Sequence, residues 1–88
     1  MRREVFFEGR VQGVGFRFRT QEIAERFAVR GYVENLDDGR VHLIVEGESE
    51  ETQRFLDAVQ QALRANIRHM HVNAGAPTGE FNGFEIRR

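Results

Sequence analysis

Apolar and polar residues alternate from Glu4 to Val11, with Val5, Phe7 and Val11 on one side and Glu4, Glu8 and Arg10 on the other. A period of two is that of a strand with one buried face. Gln12-Gly13-Val14-Gly15 then reads as a glycine-rich turn. From Phe18 to Ala28 the period lengthens: Thr20, Ile23, Ala24, Phe27 and Ala28 follow helical spacing, and Glu22, Glu25 and Arg26 face water. Gly31 breaks that pattern. Tyr32 to Leu36 and Val41 to Glu46 read as two further strands, joined through Asp38-Gly39, a hairpin signal. Gly47 ends the third strand. Ser49 is placed to cap a second helix, with Glu50 and Glu51 near the positive end of its dipole. Phe55, Leu56, Val59, Ala62 and Leu63 form its apolar stripe. Ile67 to Val72 reads as a strand, Asn73 to Gly79 as a loop, and Phe84 and Ile86 as a short last strand.

Strand, helix, strand, strand, helix, strand is the order of an α+β, ferredoxin-like (split βαβ) sandwich. The expected architecture is an antiparallel sheet of four main strands plus a short fifth, with two helices on one face. The chain has 88 residues and no internal linker, repeat or low-complexity segment, so one domain over residues 1–88 is expected.

Composition removes much chemistry. There is no Cys, so neither disulfides nor Cys–zinc sites brace the fold. All 13 basic residues are Arg, which excludes a Schiff-base or P-loop lysine, and Ser49 is the only serine. The net charge of −1 argues against a dedicated nucleic-acid binder. No apolar run is long enough to span a membrane, and the first residues lack the apolar stretch of a signal peptide, so the expected location is cytoplasmic.

The segment Gly9 to Arg17 leaves a strand, turns on glycines and enters a helix. Successive backbone N–H groups in such a turn converge on an anion, and a helix N-terminus adds partial positive charge. Arg17 stands at its mouth, and a guanidinium grips phosphate through two parallel hydrogen bonds. It is not a Walker motif, because the Gly-Lys-Ser/Thr ending is missing. Nor is it a dinucleotide fingerprint, since the glycine spacing differs. Asn35 on its own reads as a turn residue. Asp37 and Asp38 read as turn formers beside Gly39. His69 and His71 share one strand face at i, i+2, but no third metal ligand is evident. Glu48, Glu50 and Glu51 support a helix start.

Val11-Gln12-Gly13-Val14-Gly15-Phe16-Arg17 resembles the first signature of the acylphosphatase family. Gly31-Tyr32-Val33-Glu34-Asn35, followed by Asp38-Gly39 and Val41, resembles its second, at the family's separation. Gly83-Phe84-Glu85-Ile86 resembles the closing strand. The resemblance implies hydrolysis of acylphosphates without metal or cofactor. It implies a phosphate-binding loop of Gln12, Gly13, Val14, Gly15, Phe16 and Arg17, and catalytic roles for Arg17 and Asn35, the latter placing the attacking water. Small-molecule acylphosphates and inorganic phosphate, as product and inhibitor, are the implied partners, and the chain is expected to act as a monomer.

Two features depart from the family. Members often carry Gly at the position of Ala28, which implies a left-handed backbone there. Their frequent Gly-Pro-Pro stretch before the fourth strand is replaced by Arg64-Ala65-Asn66. Two other readings compete. The N-terminal domain of the hydrogenase-maturation carbamoyltransferase carries a similar loop, usually followed by Pro, where this chain has Phe18 and then stops at Arg88. RNA-recognition motifs share the fold, but their aromatic motif lies on a central strand further along the chain.

Overall fold

In the computed structural model, which describes residues 1–88, five strands form one sheet and two helices cover one of its faces. The elements are β1 (Arg2–Gly9), α1 (Phe16–Ala24), β2 (Arg30–Asn35), β3 (Val41–Glu46), α2 (Ser49–Ala62), β4 (Ile67–Gly75) and β5 (Phe84–Arg87). The strand order is β4-β1-β3-β2-β5. The four main strands pair antiparallel, and the short β5 adds parallel to β2. This is the expected ferredoxin-like α+β arrangement.

Every residue of the central β3 is buried. Val41, Leu43 and Val45 face the helices and join Val5, Phe7 and Val33 in the main core. From α1 come Phe16, Ile23 and Ala24, and from α2 Phe55, Leu56 and Val59. Aromatic rings bridge the layers: Phe7 meets Phe16 at 5.0 Å between centroids, and Phe55 meets Phe84 at 5.3 Å. Only some of the chain's phenylalanines serve this core. Phe6 stacks on His42 on the opposite face, 4.8 Å away, and Phe18 is 62% exposed.

Several boundaries differ from the sequence expectation, each for a tertiary or local reason. Helix α1 begins at Phe16, two residues early, because Gly15 is left-handed and starts it there. It closes at Ala24, since Glu25, Arg26 and Phe27 donate to carbonyls three residues back and tighten the chain out of the α geometry. Ala28 is not left-handed: no residue other than glycine has positive φ. Its N–H is instead held by Glu51 Oε2 at 2.9 Å, a contact across to α2. Ser49 is the first helical residue, not the cap. Glu48 takes the cap position with an extended backbone and makes no side-chain cap bond. Ala62 is exposed and Ala58 packs against the core in its place. Strand β4 runs through Asn73, Ala74 and Gly75, expected as loop, because pairing with β1 continues to Arg2. Asn66, within the segment that departs from the family, ties β4 to the end of β1. It accepts from Arg10 N–H at 2.9 Å and its side chain donates to Arg10 O at 3.0 Å.

On the face without helices, the loop between β4 and β5 is bonded to the end of β3. Glu46, 2% exposed, anchors that loop. Its carboxylate accepts from Thr78 N–H (2.8 Å), Thr78 Oγ1 (3.0 Å) and Gly79 N–H (3.0 Å). Burial by itself pushes the Glu46 carboxyl up. The Thr78 and Gly79 donors, with Arg2 nearby, outweigh it and hold the group below its ordinary value of 4.5.

Replacing this carboxylate should show whether the clamp is ionic. Glu46→Gln should destabilise the protein at neutral pH by about 1–3 kcal/mol, the usual cost of mismatched buried donors. A carboxyl held low in the fold contributes fully above its unfolded value and ceases to contribute as pH falls through the folded one. Urea midpoints of wild type and Glu46→Gln should therefore differ at pH 7 and converge in acid, once pH has fallen through the lowered Glu46 value. A gap that stays constant into acid would show that the charge contributes nothing.

Candidate active site

The site is set by register. Phe7 of β1 and Asn35 of β2 both pair with Val41, the first residue of β3. The chain leaving β1 and the end of β2 therefore emerge on one side of the sheet, flanking one strand. Neighbouring strands are about 4.8 Å apart, so the two exits are roughly 10 Å apart.

The loop from Gln12 to Gly15 fills that gap. Gly13 and Gly15 have φ of +75° and +79°. L side chains rarely adopt these angles, and no neighbour would obstruct a Cβ at either site, so the backbone conformation alone calls for glycine. Gly15 also starts α1 with no side-chain cap and no acid in the first turn. As a result, no backbone N–H from Gln12 to Phe18 donates to an acceptor in the protein; the first to do so is Arg19, to Gly15 O at 3.0 Å. A run of free amides at a helix N-terminus is an anion cradle.

A recess of about 200 Å³ opens beside it, and its walls include Gly13, Gly15, Phe16, Arg17 and Asn35. No Asp or Glu lines it, and Arg17 takes part in no ion pair. Arg17 as a residue is half-buried, and its guanidinium Nη1 donates to the Arg87 carbonyl of β5 at 3.2 Å in an exposed contact. That neutral contact steadies the group and leaves its charge uncompensated. Asn35 Oδ1 is buried and accepts no hydrogen bond within the protein. A buried acceptor of this kind costs about 1–3 kcal/mol, so it points to a ligand or water as its partner.

The remaining residues expected at the site divide by geometry. The Phe16 ring packs in the core, so only its backbone faces the recess. Val14 is 44% exposed between the two glycines. Gln12 contributes its amide to the free run, but its side chain turns away to the β2–β3 hairpin. Sequence reasoning missed Phe18, Ile86 and Arg88, which also line the recess. The alternation of Phe84 and Ile86 signalled an inward face; nothing local marked Arg88. His69 and His71 lie 6.4 Å apart by ring centroid, His71 sits 3.2 Å from Glu8, and no third ligand joins them. A larger recess, about 400 Å³, lies between α2 and the start of β4. It is lined by acids, bases and amides alike and holds no unpartnered buried atom. Chemistry, not size, selects the smaller one.

A family model described as Acylphosphatase matches residues 3–86. The chain belongs to the acylphosphatase family. It is 42% identical over 83 residues to the acylphosphatase of Syntrophus aciditrophicus, covering 93% of this chain and 86% of that protein. With the acylphosphatase of Listeria monocytogenes it shares 39% over 80 residues, covering 89% and 86%. The crystal structure of acylphosphatase from Bacillus subtilis superposes with a TM-score of 0.88 at 30% identity, over 99% of this chain and 98% of that one. Family membership makes the protein an enzyme, a hydrolase of the acylphosphatase kind. The same fold occurs within a larger protein: T. kodakarensis HypF matches all of this chain at a TM-score of 0.84 and 30% identity, over 12% of its own length. No helix is long and apolar enough to cross a membrane.

Proposed function

We propose that the protein hydrolyses the carboxyl–phosphate bond of acylphosphates to a carboxylate and inorganic phosphate, without a metal. One observation carries this reading: the free amides of Gly13 and of Gly15 to Phe18, the unpaired Arg17 cation and the unpartnered Asn35 Oδ1 belong to residues that line a single recess. The first two suit a phosphate dianion. The third suits the nucleophile.

An acylphosphate is a mixed anhydride, and its leaving carboxylate is stable at neutral pH without a general acid. Phosphoryl transfer passes through a loose transition state, so positioning and charge stabilisation supply most of the catalysis. In this mechanism the Arg17 guanidinium and the loop amides hold the equatorial phosphate oxygens. Asn35 Oδ1 accepts a hydrogen bond from the attacking water and turns its lone pair toward phosphorus. An amide is too weak a base to remove the proton, which passes to a phosphate oxygen of the substrate. Inorganic phosphate, as product, competes for the same cradle. The same reading takes the protein as a monomer that binds no nucleic acid, in keeping with its net charge of −1.

Hydrolysis of benzoyl phosphate, followed by ultraviolet absorbance with and without a chelator, tests the proposal directly. Turnover should be equal in both; activity lost on chelation and restored by magnesium or zinc would rule out this mechanism.

Arg17→Lys should be nearly as damaging as Arg17→Ala, because an ammonium cannot reproduce a planar two-pronged grip. Near-wild-type turnover in the lysine variant would show that charge alone suffices.

Asn35→Ala should lower kcat by about 100- to 1000-fold, the typical cost of one preorganised polar contact at a reacting centre. Phosphate affinity by isothermal titration should stay nearly intact. If Asn35 serves only the turn, folded Asn35→Ala will instead hydrolyse at the wild-type rate.

A further inference from the structure

Two sequence segments build the recess, and they are 24 and 28 residues apart where a single side chain joins them. Gln12 Nε2 donates to Leu36 O at 2.7 Å and to Arg40 O at 2.9 Å. A carboxamide nitrogen has two hydrogens, and both are used. Leu36 and Arg40 are the residues just beyond the last paired positions of the hairpin, Asn35 and Val41. They also close its turn on each other, through Leu36 N–H to Arg40 O at 2.9 Å and Gly39 N–H to Leu36 O at 3.2 Å. Each carbonyl thus spends one lone pair inside the turn and offers the second to Gln12.

The backbone of Gln12 begins the run of free amides, whereas its side chain grips the residue next to Asn35. Gln12 does not line the recess. From this we infer that Gln12 is a positioning residue, whose side chain fixes the distance and orientation of Asn35 relative to the phosphate loop. The inference rests on the proposed hydrolysis for its catalytic consequence, but the clip itself does not. Without it, the two segments are related only through β3 and through the packing of α1 and β5 against β2, and the hairpin tip beyond Asn35 gains freedom to tilt. In-line attack tolerates little of this: misplacing a reacting group by about 1 Å costs on the order of 100-fold in rate.

Gln12→Leu removes both donors at similar size, and Gln12→Glu keeps the shape but sets a carboxylate against two carbonyls. On folded protein, kcat for benzoyl phosphate should fall about 10- to 100-fold in Gln12→Leu. It should fall further in Gln12→Glu at neutral pH. Competitive inhibition by inorganic phosphate should stay within about twofold of wild type, since the loop amides and Arg17 are untouched. In acid the Gln12→Glu carboxyl regains a single O–H donor, so its kcat relative to wild type should rise as pH falls. If Gln12 acts through Asn35, Gln12→Leu should cost no further activity in an Asn35→Ala background. Amide hydrogen exchange at Leu36 and Gly39, measured without substrate, should quicken roughly tenfold in Gln12→Leu.

Wild-type kcat in folded Gln12→Leu would overturn the inference. So would parallel loss of kcat and phosphate affinity, an additive effect on top of Asn35→Ala, or unchanged exchange at the hairpin. A wild-type protein inert toward acylphosphates would overturn the proposed function instead, and the exchange measurement would still decide the clip.

Discussion

The structure depends on β3 lying between β1 and β2 with both of its faces buried. β1 and β2 run parallel to each other, which an antiparallel partner on each side requires. That arrangement brings the C-terminal ends of both strands to the same side of the sheet, at Val41. A slip of one residue in either pairing would turn Phe7 or Val33 out of the core and expose a large apolar side chain. The register is therefore fixed by burial, and through it the separation of the Gln12–Gly15 loop from Asn35. The geometry of the candidate site is thus a by-product of core packing.

The local devices at the site work because that frame is rigid. Left-handed glycines at 13 and 15 give a loop whose amides have no internal partners. Elsewhere such a loop would simply be hydrated. Here it opens a helix that Phe16 pins in the core. Arg17 follows on the first turn of that helix and reaches across to the β5 carbonyl of Arg87. Strand β5 is in turn held by Gln21 to Phe84 O at 3.3 Å and by Gly31 N–H to Gly83 O at 2.9 Å. The Glu46 clamp fixes the loop that delivers the chain to β5. Support for one guanidinium thus extends to Gln21, Gly31 and Glu46, none of which lines the recess.

The uncovered face of the sheet shows how few groups are needed to bury half a strand without a helix. His42 sits between Glu34 and Glu4, with ring nitrogens 2.7 and 2.8 Å from their carboxylate oxygens. Phe6 stacks on the imidazole, Tyr32 meets its edge, and Arg87 lies over Tyr32 at 3.7 Å. Ile44 of β3 and Phe81 of the β4–β5 loop are buried as well, the Phe81 ring 5.8 Å from that of Tyr32. In this way a central strand of alternating Val/Leu and His/Ile/Glu residues is buried throughout, though only one of its faces reads as apolar.

The sequence by itself determined the number, type and order of the elements, because periods of two and 3.6 are local properties of the chain. It also marked Arg17 and the loop glycines, since a strand–Gly-rich turn–helix passage has an intrinsic affinity for anions, and family resemblance singled out Asn35. It could not place β4 through Asn73 to Gly75, where pairing with β1 overrides weak strand propensity. Nor could it assign Ala28 its conformation, which a contact from Glu51 on another helix sets. The role of the Gln12 side chain was equally hidden, because its partners are backbone carbonyls, and every residue has one. Only the tertiary structure decides which carbonyl lies opposite which donor. For the same reason it alone revealed that Asn35 Oδ1 is buried without a partner.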